Sequence, residues 1–509
     1  MPAPRSIAEN PPSSPDHPAA PNDRDPSFGT APRTALALAL VIWVGLLIAR
    51  ATAPSDLMVR DQERVAAYVL DIVQNGHVLL QHDVHGNVAS KPPIFNWLAA
   101  LTSALGGGVS RVSLGLPSAL ACLGGMLLLL RLAARYFGQG AALWVVPLFA
   151  FSTLGLRQVF LVRSDAVFAF FTCLTAVAVW RAWQRGGGWI WVGLAGGAAA
   201  MTKGPHGVLF AMAGLAAVWW ERRSGHPLPL RGRVWPAVVT FLAIPLCWVF
   251  GAWLEGGKPV LDKLFLDELV GHALGVRQGE PSAPGHKFGH PWAWFFTRMA
   301  PVSLVAVLGI WRTAKHPATG EAERRFERFL TCWLLGGLLV LSLQSTVRFI
   351  HLLPMMPPAA LLASREVAAW LHRTTPHRTF GIAWATAATA LGFSFVYLHV
   401  LDAKNPEVAV SERVRQAADD IARRYDVRRL EFVDAPVALQ VHLNVFRPVL
   451  DPEAAKARLA GRAPVLLAIL AESGHATVDA PQVYGRYPLN DRSELRIVGN
   501  APTPPADPR

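Results

Sequence analysis

The sequence predicts an all-α polytopic membrane protein of about 11–13 transmembrane helices, with interfacial helices in the first outer loop and a small C-terminal α/β domain. Three observations predict it. Of 509 residues, 52% are hydrophobic and 16% charged, where a soluble domain carries nearer a quarter charged. Apolar runs recur from Thr34 to Leu401 while both ends are polar. Basic residues gather in alternate loops between those runs, as the positive-inside rule requires of a multi-span chain.

Residues 1–33 hold nine prolines among scattered charges, the composition of a disordered tail. The apolar run Thr34–Ala49 comes next. Ala51-Thr52-Ala53 resembles a signal-peptide cleavage site, but the preceding polar stretch is too long for an ordinary signal, so an anchor is expected. Further spans are predicted at about 112–130, 141–156, 166–180, 189–201, 205–220, 234–254, 293–311, 329–343, 346–363 and 380–401. Arg131 and Arg135, Arg181 and Arg185, Glu221–Arg233, Arg312–Arg328 and Arg365–Arg378 then fall on one face. That face is cytoplasmic if the N-terminus is. The opposite, periplasmic face receives the long loops 52–111 and 255–292 and everything after Leu401. Helices are expected in those loops at Asp61–Val73 and Val260–Leu274. The domain at 402–500 should open with a helix capped by Ser411 and running to Tyr425. Apolar segments at Arg429–Val433, Val445–Leu450, Pro464–Leu470 and Leu495–Val498 read as strands, with a second helix at Asp451–Leu459. Residues 501–509 read as a disordered tail.

The net charge of +13 is accounted for largely by these loops. No zinc finger, recognition helix or aromatic–basic interleaving points to nucleic acid. The four cysteines, Cys122, Cys173, Cys247 and Cys332, each lie within an apolar run with no C-x-x-C pair, which excludes a disulfide framework or a thiolate metal site.

Ionisable residues at span ends are costly and mark function. On the periplasmic face these are Arg60-Asp61-Gln62-Glu63, Ser90-Lys91-Pro92-Pro93, Arg163-Ser164-Asp165, Thr202-Lys203-Gly204-Pro205, His286, Lys287, His290, Arg348 and His351. Each has a bland reading. Asp61 and Glu63 suit a solvated helix face, and Lys91 and Lys203 suit snorkelling to headgroups. Asp165 suits a structural pair with Arg163 or Arg157, the histidines suit ordinary loops, and Ser90 suits a turn. Together they fit one reaction. An anionic polyprenyl phosphate needs cations to hold it and stabilise its departure. An acceptor hydroxyl needs a carboxylate to take or orient its proton.

These motifs resemble the C-type glycosyltransferase superfamily, which includes bacterial aminoarabinose lipid A transferases and protein O-mannosyltransferases. The matching residues run from Arg60-Asp61-Gln62-Glu63 through Tyr68, then Gly76-His77, Gly86, Lys91-Pro92-Pro93 and Trp97. They continue with Arg163-Ser164-Asp165, Thr202-Lys203-Gly204-Pro205, Pro291-Trp292 and Arg348-Phe349-Ile350-His351-Leu352-Leu353-Pro354, in the family's order. The resemblance implies a periplasmic site and inverting transfer from an undecaprenyl-phosphate sugar to lipid A, another glycan or protein. It implies Asp61 as the catalytic acid/base and Asp165 as a second acid. Lys91, Lys203 and Arg348 would hold the donor phosphate, with Arg60 and Arg277 in support. Glu63, Tyr68, His286, His290 and His351 are its candidates for substrate contact. A divalent metal is an occasional family feature. The chain departs at Gln62, where an acid usually follows the aspartate, and at Ser90, where an acid often precedes the lysine. His351 stands near the usual place of a tyrosine. These departures set it apart from the aminoarabinose enzyme itself and put that metal site in doubt. A transporter or flippase of a lipid-linked anion, and a non-catalytic envelope assembly protein, are the competing readings; no internal inverted repeat favours the transporter.

Overall fold

The computed structural model describes residues 33–152, 155–264, 288–344, 347–372, 374–472, 475–476 and 478–501. The predicted N-terminal tail, Arg277, His286, Lys287, most of the expected helix Val260–Leu274 and the tail from 502 lie outside the described residues.

The first helix, α1 (Arg33–Thr52), is apolar on every side. Leu38, Ile42 and Leu46 pack inward while Leu36, Leu40, Val44 and Ile48 face out, the signature of a helix with protein on one side and lipid on the other. Then come α2 (Gln62–Asn75), α3 (Ile94–Leu105), α4 (Arg111–Tyr136), α5 (Gly138–Ala150), α6 (Asp165–Arg185), α7 (Ile190–Lys203), α8 (His206–Ala213), α9 (Ala216–Arg223) and α10 (Trp235–Leu261). Helices at His290–Arg298, Val302–Lys315, Glu321–Ser342, Met356–Leu371 and Pro376–Val396 complete the bundle.

Five described helices are long and apolar enough to cross a membrane alone, or six if one bent pair counts as a span. Other predicted spans are built from pieces. The 205–220 run is α8 plus α9, and the 293–311 run is two helices bent by 111°. The 346–363 run opens as a 3₁₀ turn at Phe349–Met355. Broken spans survive only where protein encloses the freed backbone.

Lipid tails supply no hydrophobic drive between helices, so close packing of small residues must. On α7, a β-carbon at Gly193 would lie 2.4 Å from the Ala237 carbonyl oxygen of α10. Deeper in the bundle Tyr136 stacks on Phe326 at 4.1 Å, and Trp180 touches Phe326 and Phe329 at 5.1 and 5.5 Å.

The helix Glu321–Ser342 starts eight residues before its apolar run. Its first turns carry Arg324 and Arg328, which reach the fully buried Glu221 at the end of α9, at 3.3 and 2.7 Å. Arg365 closes the same end of the bundle by pairing with Glu327 and Glu366. The expected loop cations are thus structural partners of buried carboxylates.

On the other side, the loop 52–111 and the C-terminal domain pack as one body. The domain is a mixed sheet ordered β1 (Leu430–Val433), β2 (Leu466–Glu472), β5 (Ser493–Gly499), β4 (Gln482–Pro488), with β3 (His475–Ala476) beside β2. The β1–β2 pair is parallel; the other pairs are antiparallel. Its first helix is Pro406–Arg424, capped by Asn405, whose side chain accepts from the Glu407 N–H. Ser411 is therefore not the cap: it is buried in the helix, where its hydroxyl accepts from the Met58 N–H. Val445–Leu450 is an extended connection instead of a strand, although Leu450 N–H donates to the Phe432 carbonyl at 2.9 Å. A short helix at Val437–His442 follows β1, and the helix expected at Asp451–Leu459 is Pro452–Ala460. Cross-links to the loop include Ser55 N–H to Glu412 (2.8 Å), Phe446 N–H to Gln74 (2.8 Å) and Val449 N–H to Val84 O (2.9 Å).

Removing one partner from a buried charge cluster strands the others. Glu221→Gln should destabilise the protein by about 3–5 kcal/mol, read as a lowered thermal midpoint in detergent. An unchanged midpoint would show that Arg324 and Arg328 find other partners.

Candidate active site

The site is built around a strained turn between α1 and α2. Arg60 (φ 60°, ψ 47°) and Asp61 (φ 62°, ψ 20°) are both left-handed without being glycine. Such residues cost about 1–3 kcal/mol each and persist only where surroundings over-determine them. Gln62 supplies much of that constraint. Its buried amide donates to the carbonyls of Asp56 (2.7 Å) and Val59 (3.1 Å) and accepts from Val162 N–H (2.9 Å). Arg163 adds a bond to the Arg60 carbonyl at 2.8 Å. The turn is thereby tied to the loop that leads into α6.

The turn presents Asp61 to a cleft of ≈ 520 Å³ that Arg60, Arg64, Tyr68, Ser90, Lys91 and Arg163 also line. The Asp61 carboxylate is exposed and has no hydrogen bond or ion pair among the described residues.

Asp165 is its opposite. It begins α6, is 2% exposed, and is gripped by Arg163 (2.9 Å) and by Lys203 from the end of α7. Gly204, at φ 119°, lets the chain leave α7 immediately after Lys203; a side chain rarely adopts that conformation. Lys203 is thus committed to Asp165, and Arg163 to Asp165 and the turn.

Lys91 lies outside the spans, at the mouth of the cleft. Desolvation in this protein-lined hollow, together with the nearby Lys203 charge, pushes its ammonium down to about 8. The side chain is exposed, so water reaching it tempers the shift.

Arg348 is exposed and precedes the 3₁₀ turn. It lies within electrostatic reach of Lys203, and so does the half-buried His351. Glu63 turns away to accept the Ala438 N–H at 3.0 Å. Burial raises its carboxyl, that bond opposes the rise, and Asp61 adds to it. Tyr68 lines the cleft. His290 starts its helix against Trp294, ring centroids 5.4 Å apart, and is not among the cleft-lining residues.

Two groups were missed in the sequence. Arg64, in the first turn of α2, lines the cleft. Arg298 lies 5.1 Å from the centroid of the Phe349 ring, and Arg60 lies 5.2 Å from it. Arg64 was legible as the residue after Glu63. Arg298 was not, because nothing local announces its place beside Phe349, 51 residues further on, and Arg60.

The divalent metal that the resemblance allows does not fit beside Lys91. The described charges lining the cleft are Arg60, Arg64, Lys91 and Arg163 against one carboxylate, Asp61. A dication is repelled there, and Ser90 offers a neutral hydroxyl.

Residues 90–253 match the family described as dolichyl-phosphate-mannose-protein mannosyltransferase. That stretch includes Lys91, Asp165 and Lys203 but neither Asp61 nor Arg348. The structure of ArnT from Cupriavidus metallidurans bound to undecaprenyl phosphate superposes with a TM-score of 0.68 over 93% of this chain and 98% of that one, at 14% identity. This chain has the C-type glycosyltransferase fold. The apo form of the same protein gives a TM-score of 0.64. The undecaprenyl phosphate-alpha-4-amino-4-deoxy-L-arabinose arabinosyl transferase 2 of Pseudomonas fluorescens (strain Pf0-1) is 26% identical over 321 residues. The match covers 61% of this chain and 56% of that protein. A related transferase of Pseudomonas aeruginosa (strain UCBPP-PA14) is 26% identical over 64% of this chain and 58% of its own length.

The role of Gln62 can be tested with the acid that the C-type family usually carries there. Gln62→Glu puts a carboxylate against two carbonyl oxygens and removes the bonds the amide donates to them, although the Asp56 carbonyl keeps the Val59 N–H. It should lower stability by about 1–3 kcal/mol, seen as a lower thermal midpoint than wild type. Equal midpoints would remove the amide from its assigned role.

Proposed function

We propose that this chain is a membrane glycosyltransferase that moves a sugar from a polyprenyl (undecaprenyl) phosphate carrier to an envelope acceptor, with inversion, on the periplasmic face of the inner membrane. The observation that carries the reading is Asp61: an unpaired, accessible carboxylate held in a strained turn beside four cations. A neutralised acid such as Asp165 cannot take a proton from an alcohol; an unpaired one can.

In this reading Asp61 orients and deprotonates the acceptor hydroxyl. The oxygen attacks the anomeric carbon from the face opposite the carrier, the bond to the phosphate oxygen breaks, and the phosphate leaves with the electron pair. Lys91, Arg64 and Arg348 stabilise that leaving charge, with Arg60 at the edge. Lys203 contributes through Asp165, fixing the Arg163 loop that braces the turn. The membrane location follows from the donor, whose polyprenyl chain stays in lipid while its phosphate reaches the interface.

Asp61→Asn should lower transfer of sugar from an undecaprenyl-phosphate donor by about 10²–10⁴-fold, with expression and thermal midpoint intact. Full activity in that variant would remove Asp61 from the mechanism. Lys91 predicts a pH dependence. Its charge is lost as pH rises from about 8 toward the ordinary lysine range, whereas the carrier phosphate keeps its charge. Affinity for undecaprenyl phosphate should therefore fall as pH rises above about 8, and Lys91→Arg should hold it flat. A wild-type profile as flat as that of the arginine variant would exclude Lys91 as a phosphate ligand.

A further inference from the structure

The C-terminal half of α2 and the segment that follows it bring three further groups together. Asp71 is fully buried, and its side chain is 1% exposed. Its Oδ1 lies 2.8 Å from Nδ1 of His77, and its Oδ2 lies 3.5 Å from Nδ1 of His82. One ligand atom from each of the three residues lies within 4.8 Å of the others. The two imidazoles meet edge-on at 5.4 Å. We propose that Asp71, His77 and His82 form a three-ligand site for a divalent cation of the zinc class, which staples the base of the loop carrying Lys91.

The donor set suits that class. Two imidazole nitrogens and one carboxylate oxygen, with a fourth position left to water, is a recurrent zinc arrangement. With bonds of about 2.0 Å, the ligand atoms around tetrahedral zinc stand about 3.3 Å apart; the two imidazoles lie 2.8 and 3.5 Å from the two different Asp71 oxygens, and all three ligand atoms fall within 4.8 Å. The carboxylate is already oriented: Asn75 Nδ2 donates to its Oδ1 at 2.8 Å, and the His82 backbone N–H donates to its Oδ2 at 2.7 Å. Such outer bonds fix ligands before metal arrives. An entry path exists, since the His77 and His82 side chains are 46% and 34% exposed while the carboxylate is buried. In the metal-bound form both Nδ1 atoms are deprotonated and the ring protons sit on Nε2, so uptake releases any proton held by the imidazoles.

The placement gives the site its purpose. Gly76 ends α2 in a left-handed turn. His82 then bridges to Val88 across a short hairpin, and Ala89 N–H closes it on the Gln81 carbonyl at 2.8 Å. The next two residues are Ser90 and Lys91. A cation between Asp71 and His82 therefore locks that hairpin to α2, and with it the position of Lys91. The alternative is a plain hydrogen-bond hub, in which Asp71 orders the loop without any metal.

The test uses the tag-free full-length protein in detergent, stripped with a chelator, then given zinc alone and desalted. Elemental analysis should find about one zinc per chain, and zinc should raise the thermal midpoint. His77→Ala and His82→Ala replace side chains that are partly exposed, so both should fold with the midpoint of the stripped wild type. Both should lose the zinc and its thermal shift. Asn75→Ala should weaken zinc binding by about 10–100-fold. Asp61→Asn should keep the zinc, which separates this site from the cleft. A wild type that retains no zinc, or histidine variants that retain it at the wild-type level, would overturn the proposal in favour of the hub.

Discussion

The Asp165 carboxylate is buried at the head of a membrane helix, and a charge in that position must be neutralised by partners of fixed geometry. Arg163 and Lys203 supply them, and the arrangement of the cleft follows. Lys203 brings the end of α7 to the start of α6. Arg163 carries the constraint outward to the Arg60 carbonyl, so the left-handed turn that exposes Asp61 rests on an ion cluster that it meets through Arg163. Two acids that look equivalent in the sequence therefore divide their work: one spends its charge on architecture, the other keeps it available.

The same division sorts the cations. Lys203 and Arg163 are consumed internally. Lys91, Arg64 and Arg348 stand closer to solvent and carry charge that Asp61 alone does not balance. An excess of positive charge around one carboxylate suits an anion that arrives, reacts and leaves, because its departure does not strand a buried acid. This electrostatic asymmetry also explains why a dication is unwelcome at the cleft while a nearby Asp–His–His cluster, with no cation among its side chains, can accept one.

Much of this was readable in the sequence because membranes impose simple rules. Each predicted span coincides with a helix or a pair of helices. The motifs around Asp61, Lys91 and Arg163 line one cleft, and Asp165 and Lys203 are joined to it through Arg163. What escaped depended on partners distant in sequence. Hydropathy cannot reveal that the Glu321–Ser342 helix starts early, since its first turns are held by ion pairs to Glu221 and Arg365. Composition favoured Ser411 as a cap over Asn405, because the helix's first turn holds Pro406 and little hydrophobic periodicity. Strand β4 (Gln482–Pro488) went unseen because its exposed edge position leaves it without an apolar alternation. Gln62 read as the loss of an acid, and became intelligible only once its three backbone partners were in place. His77 was noted as part of a motif, but its convergence with Asp71 and His82 needed the turn at Gly76.

The bond between Glu63 and the Ala438 N–H joins residues 375 positions apart, and it is one of several links between the loop 52–111 and the last hundred residues. During synthesis the loop is finished long before its cover exists. At 5–20 residues per second the wait is roughly 20–75 s, during which the polar groups that later face the C-terminal domain must be satisfied by water or by a holding factor. Biogenesis of this protein is thus timed by its final segment: a ribosome that stalls or terminates early would release a membrane bundle whose first loop has never met the domain that packs on it.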